Sequence, residues 1–453
     1  MGHLQAAQDL LLAALREAPR RYRLPPLPAD PAAARAAGIE AALAFAIEAA
    51  RLAAEAGRPA GDGVPGLFTW ALGAFLREAM APQGGDASFQ ALVLQAHDAA
   101  VGEYVRLSGG AAADRRSVRS LVDAIAHPGK TRALAPGAVR DRLATLHALV
   151  SADAWTALRD ALEDALPSED ADLACALAPL RGHASLQRLV RRESLQGGAT
   201  VQRYLALCER RGPCAGSRAA AAHGRSAARA GDDAERATIE AFRQLAALLP
   251  ARAAGAYRVL RSLRPPPGFP GDRGKAKDEW DAAIASVAAE GAELLLLAEV
   301  KAAPAAASSD FSRLHRGLQR LAQADPARDY AFTSADDEVR LHGASLRRLQ
   351  PPGRELPPHV IYCCTAAAET RPPLLSAASK AVLAAEPASL RYAQQLACGA
   401  SPQQAQLLPV WDALTQAPRL RATLHQDATA RLVRGAMLHP QDLVASLAAL
   451  AHG

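Results

Sequence analysis

DEWDAAIASVAAEGAELLLLAEVK, residues Asp278–Lys301, is the stretch whose reading decides the fold. It interrupts an Ala-rich helical chain with two apolar runs and a turn. The first run carries Asp281 and the second ends in Glu299-Val300-Lys301. Residues two apart on a strand share a face, so Glu299 and Lys301 project together. Glu290-Gly291 is the expected turn. A two-residue loop there sets Asp281 opposite Val300, and a three-residue loop moves its partner to Glu299 or Lys301. Either register gathers two carboxylates and an ammonium at one end of a hairpin, an unusual cluster to leave without a metal.

The flanking sequence reads as an α/β segment. Asp233–Leu249 is expected to be a helix capped by Asp232 or Asp233, and Tyr257–Leu263 a short alternating strand. Pro265–Lys277 is a Pro/Gly-rich basic loop with Arg273, Lys275 and Lys277. After the hairpin come a loop, a helix over Asp310–Gln323, and short apolar strands at Asp329–Thr333 and His359–Thr365. Glu338–Leu341 is a further candidate strand.

This α-β-β-β-α-β order, with Asp on the second strand and Glu-x-Lys on the third, resembles the PD-(D/E)XK nuclease superfamily, which has a restriction-endonuclease-like fold. The resemblance covers about residues 235–365. It implies that Asp281 and Glu299 hold Mg²⁺ (or Mn²⁺), helped by the backbone carbonyl of Val300, and that Lys301 positions the attacking water. It also implies a helical glutamate as a secondary ligand, Glu240 or failing that Glu235. The chemistry needs these types in its own right. Mg²⁺ prefers hard oxygen ligands and keeps several waters, so one or two carboxylates suffice. Bound metal lowers the pKa of water and stabilises charge on a transferring phosphoryl group. A lysine beside it is a compact, mobile donor. Three departures stand out. Trp280 replaces the usual proline, and Glu279 shares the face of Asp281, so their ligand roles are exchangeable. Gln319 is followed four residues later by Gln323, not by the tyrosine of some nuclease branches.

Outward from this segment the chain reads as helix. Residues 1–211 form an all-α region, 212–232 a basic Gly/Ser/Arg-rich linker, 233–368 the nuclease-like domain and 369–453 a C-terminal helical region. The fold class is therefore mainly α with an embedded α/β domain. The 453 residues are half apolar, but the excess is alanine and only 4% are aromatic, which predicts close-packed helices with thin cores. Net charge is +6, concentrated in the ten arginines from Arg181 to Arg229, which face only Glu193 and Glu209. Such a block suits a polyanion or a solvated helix face. Six cysteines without zinc-ribbon or disulfide-framework spacing fit reduced thiols in a cytoplasmic protein; Cys363 and Cys364 point to opposite faces of their strand. No apolar run approaches the ~18–20 residues of a membrane span, and the N-terminus has no secretory pattern. The Ala124–Thr131 stretch, AIAHPGKT, loosely matches a phosphate-binding loop. It lacks the preceding strand, and Pro128 removes a backbone donor.

The sequence thus points to a metal-dependent nuclease acting on DNA. Arg273, Lys275, Lys277, Arg313 and Arg316 would contact phosphates, and the N-terminal helices would serve a protein partner. The rival expectation is a non-catalytic helical scaffold or nucleic-acid-binding protein that keeps a degenerate nuclease fold.

Overall fold

The computed structural model describes every residue except 1, 166–170, 213–217, 251–255, 289–290 and 453. The chain is mainly helical with one mixed seven-stranded sheet, and it divides into two compact units. One unit comprises residues 1–72, 216–383 and 407–453; the other comprises 73–215 and 384–406. Among the described residues no helix is long and apolar enough to cross a membrane.

The second unit is helical. Its larger core gathers Val118, Val122, Leu146, Trp155, Leu158, Leu177 and Leu189. The Ala124–Thr131 stretch lies here as the end of the Ala99–Ala126 helix and a short Pro128–Thr131 turn, with no strand before it.

The first unit contains the sheet, and its boundaries differ from the sequence reading. The Gly2–Glu17 helix does not join the all-α region. Its apolar face (Ala7, Leu11, Ala14, Leu15) is covered within the sheet-bearing unit, in one core with Leu443 and Leu447 of the Pro440–His452 helix. It is therefore not a free surface for a partner. The expected linker is also corrected. Residues 213–217 lie outside the described residues, but Arg218–Leu248 is one helix. Alanine's high helix propensity outweighs Gly224 and Gly231, each costing about 1 kcal/mol against Ala, and no proline intervenes before Pro250. Its first half is exposed, whereas Ala234, Thr238, Phe242 and Leu245 are buried against the sheet.

The strands are β1 (Tyr257–Leu263), β2 (Trp280–Ala288), β3 (Gly291–Lys301), β4 (Asp329–Thr333), β5 (Glu338–His342), β6 (Val360–Cys364) and β7 (Met437–Leu438). β1, β2 and β3 run antiparallel in sequence. β3 then pairs in parallel with β5 at its start, through Ala292 and Leu341, and with β6 along its end, from Leu297–Val360 to Lys301–Cys364. β7 lies beside β6 and had no sequence signal, being two residues between helices. The sheet separates two cores. The Ala306–Leu321 helix covers one face with Leu314, Leu318 and Leu321 against Ala283, Leu297 and Tyr362. The Arg218–Leu248 helix covers the other with Phe242 and Leu245 against Ile284, Leu296 and Cys363. Cys364 joins the first core and Cys363 the second, as strand alternation requires.

Candidate active site at the end of β2 and β3

The hairpin register is set by two local features. Ala288 faces Gly291, so Gly291 already belongs to β3; residues 289–290, on which the expected Glu290-Gly291 turn partly falls, lie outside the described residues. Gly291 begins β3 with φ 135°, and a Cβ there would lie 2.6 Å from the His342 ring, so glycine is needed at that strand position. The second feature is a β-bulge. The pairing jumps from Ala285–Leu294 to Ile284–Leu296, leaving Leu295 extra. Leu295 and Leu296 consequently both enter one core, while Leu294 and Leu297 enter the other.

That extra residue decides the site. Continued without it, the loop register would set Asp281 opposite Ala298 and turn Glu299 and Lys301 to the other face. With it, the Ala282–Ala298 pair places Asp281 level with Glu299. Both then share the face of Ala283 and Leu297, under the Ala306–Leu321 helix. The Val300 N–H donates to Asp281 Oδ2 at 2.7 Å, locking the carboxylate across the hairpin. Asp281 is thus chosen over Glu279, whose carboxylate is paired with Arg264 at 2.8 Å. On the other side of Asp281, the β1–β2 ladder skips Ser262, a non-glycine residue held at φ 48°. Such a left-handed backbone costs about 1–2 kcal/mol and tends to mark functional regions.

Glu299 is the centre of the cluster and only 1% exposed. Its Oε1 accepts from the ammoniums of both Lys277 and Lys301, each at 2.7 Å. Lys301 also donates to Asp310 Oδ2 at 3.0 Å. Lys277 Nζ lies 3.9 Å from Asp310 and 4.0 Å from Asp281. Three carboxylates and two ammoniums therefore meet, drawn from a loop, two strands and a helix. Glu299 Oε2 and the Tyr362 hydroxyl are buried without a hydrogen-bond partner among the described residues. Burial pushes the Glu299 carboxyl up to about 8, Asp281 adding and the two ammoniums opposing. Burial works against the Lys301 ammonium, but Glu299 and Asp310 outweigh it and hold its pKa above the ordinary lysine value. Burial likewise opposes ionisation of Asp310, yet Glu299 and Lys301 keep it below the usual carboxylate range.

The remaining expected residues fall unevenly. Glu240 is an exposed carboxylate paired with Arg243 at 3.3 Å. The glutamate of that helix that feels the site is Glu235. Burial and then the charge of Asp281 raise its pKa. Helical geometry explains the difference. At about 100° per residue Glu235 lies about 60° round from the buried Thr238, and Glu240 about 200°. Val300 contributes its N–H to the site, donated to Asp281. Lys277 is corrected from a surface phosphate contact to a member of the cluster, since its ammonium is held by Glu299. Arg273, Lys275, Arg313 and Arg316 are exposed. Arg273 pairs with Asp278 at 3.4 Å, Arg313 lies 4.0 Å from Asp310, and Arg316 donates to the Lys275 carbonyl. His315 is bonded to the Gly353 carbonyl at 2.8 Å and packs at a tilt against Phe311. Asp310 is a residue that sequence reasoning missed. The sequence places Asp310 at a helix start, whereas the helix begins at Ala306 and puts Asp310 on the inner stripe with Ala307, Leu314 and Leu318. That spacing was the available signal.

In donor chemistry the cluster suits a hard divalent ion held by two carboxylates and water, since Asp281 and Glu299 offer only oxygen and Glu299 Oε2 has no hydrogen-bond partner among the described residues. Among the described residues no group of three or more His, Cys, Asp or Glu is arranged to hold a metal. No protein-family model, no curated protein and no solved structure matches this chain.

Proposed function

We propose that the chain is a metal-dependent nuclease that hydrolyses phosphodiester bonds in DNA, with its site at the end of β2 and β3. The observation that carries this reading is the meeting of Asp281, Glu299 and Lys301 on one face, fixed by the Leu295 bulge. The order of the Arg218–Leu248 helix, β1, β2, β3, the Ala306–Leu321 helix and the parallel strand β6 supports the nuclease-like core. A divalent ion, Mg²⁺ or Mn²⁺, would be held by Asp281 and Glu299 and would supply water activation and charge neutralisation at phosphorus. The chain's own part is positional. Val300 N–H orients Asp281, and Asp310 holds the Lys301 ammonium beside Glu299, where it can donate to a water or a phosphate oxygen. Arg273, Lys275, Arg313 and Arg316 are the exposed cations for phosphate contacts, which position a duplex without reading its sequence.

The test is cleavage of supercoiled plasmid, single-stranded DNA and RNA with Mg²⁺ or Mn²⁺. Glu299→Ala and Lys301→Ala are each expected to lose about 100-fold or more. Metal-dependent cutting that survives both substitutions would sink the assignment. A second reading, a scaffold or binding protein with a degenerate site, is favoured by one observation: the Lys277 ammonium already occupies the space among the carboxylates. Salt-sensitive DNA binding with no cleavage under any metal would select it.

A further inference from the structure

Lys277 is built into the cluster rather than drifting over it. Its N–H donates to the Arg313 carbonyl at 3.0 Å, pinning the loop to the Ala306–Leu321 helix. The contact is close enough that a Cβ on Gly317 would lie 2.8 Å from the Lys277 carbonyl oxygen and 3.1 Å from its Cβ. Glycine at 317 is therefore what lets this backbone lie flat on the helix, and the side chain follows it inward to 14% exposure. A lysine used only for surface charge needs no such seat.

Its ammonium sits within 4.0 Å of Asp281, Glu299 and Asp310 at once, closest to Glu299 Oε1. With all three carboxyls counted as ionised, the form that would hold a metal, and the two inward ammoniums alone set against them, one negative charge is left unbalanced. A divalent ion simply added would overshoot. One that replaces the Lys277 ammonium, with Lys301 kept, leaves the cluster neutral. We infer that Lys277 is an intrinsic competitor of the divalent ion: it fills the cation position between Asp281 and Glu299, beside Asp310, and metal binds only as its ammonium leaves. This rests on the metal-site reading above and adds a positioning residue to it. The Pro265–Lys277 loop thereby couples metal loading to the conformation of its own C-terminal end.

Two measurements on the full chain test it. In the first, Mn²⁺ binding is titrated calorimetrically for wild type, Lys277→Met and Arg273→Met, with folding checked by circular dichroism. Removing a like charge within about 4 Å of the ion is expected to tighten Mn²⁺ binding by about tenfold or more. The exposed Arg273→Met should change it less than about twofold. Equal affinity of Lys277→Met and wild type overturns the competitor role and leaves the metal site standing. Absence of Mn²⁺ binding to either protein overturns both. The second needs no variant. Acetylation of Lys277 in wild type, read by mass spectrometry against Lys130, should rise several-fold when Mn²⁺ is added, because the ammonium is released to solvent. Unchanged Lys277 labelling at saturating Mn²⁺ overturns the proposal even if the methionine variant does not fold.

Discussion

Glu299 and Asp427 are both carboxylates at 1% exposure, yet they are different objects. Asp427, on the Gln426–Gly435 helix, accepts from Arg431 Nε at 2.6 Å, one turn along the same helix. Its Oδ1, like Glu299 Oε2, has no partner among the described residues, and burial raises its pKa against the pull of Arg431. The resemblance ends there. An i,i+4 pair is supplied by the helix itself and needs no tertiary structure to bring it together. Glu299 instead collects Lys277 from a loop, Lys301 from its own strand, and two further carboxylates, Asp281 and Asp310. Bringing like charges together opposes folding. A buried acid balanced by its own helix is explained by packing. An acid crowded by other acids needs a second reason, and perturbed groups of that kind concentrate at functional sites.

The comparison breaks most visibly in activity. Glu299→Gln should reduce metal-dependent DNA cleavage by about 100-fold or more, while Asp427→Asn should stay within about twofold of wild type. If Asp427→Asn lowers cleavage as far as Glu299→Gln, burial rather than convergence is the feature that matters. A half-buried ionisable group sharpens the contrast by pH. His359 precedes β6, and its carbonyl accepts the Leu297 N–H at 2.9 Å. Burial first, then the like charge of Arg348, depresses its pKa to about 4. The unfolded chain therefore takes up the proton first. The stability tied to neutral His359 is fully present above about pH 6.5 and is lost as pH falls toward 4, by up to about 3 kcal/mol. Urea midpoints from pH 7 to pH 4.5 should fall more steeply for wild type than for His359→Gln; parallel curves would show that His359 is solvated. The smallest effect concerns Tyr362, whose hydroxyl has no partner among the described residues and faces Glu299 and Asp310. Tyr362→Phe should leave stability unchanged or raise it by up to about 1 kcal/mol in thermal unfolding. A clear loss would mean that the hydroxyl takes part in the cluster.

Much of the sheet was legible because strand periodicity is local. Tyr257–Leu263 could be read from alternation, and Asp329–Thr333 and His359–Thr365 from short apolar runs, the last of which forms the fully buried Val360–Cys364 strand. The shared face of Glu299 and Lys301 followed from the two-residue repeat alone. The helix over residues 218–232 was not legible, because Gly, Ser and Arg looked like linker chemistry while alanine was setting the backbone. Nor was β7, whose two residues are strand only because β6 lies alongside.

At the site the division is sharper. The sequence by itself determined that a hairpin would carry an aspartate on one arm and Glu-x-Lys at the end of the other, since side-chain alternation is a property of the single strand. Only the tertiary structure decided which carboxylate faces Glu299. That choice depends on a one-residue bulge at Leu295, and a register is a relation between two strands. Only the tertiary structure brought in Asp310 and Lys277, which lie on a helix and a loop packed over the strand end. The helix spacing puts Asp310 on the inner stripe, but that this stripe lies over the strand end, with the Lys277 loop seated on Gly317, comes from long-range packing.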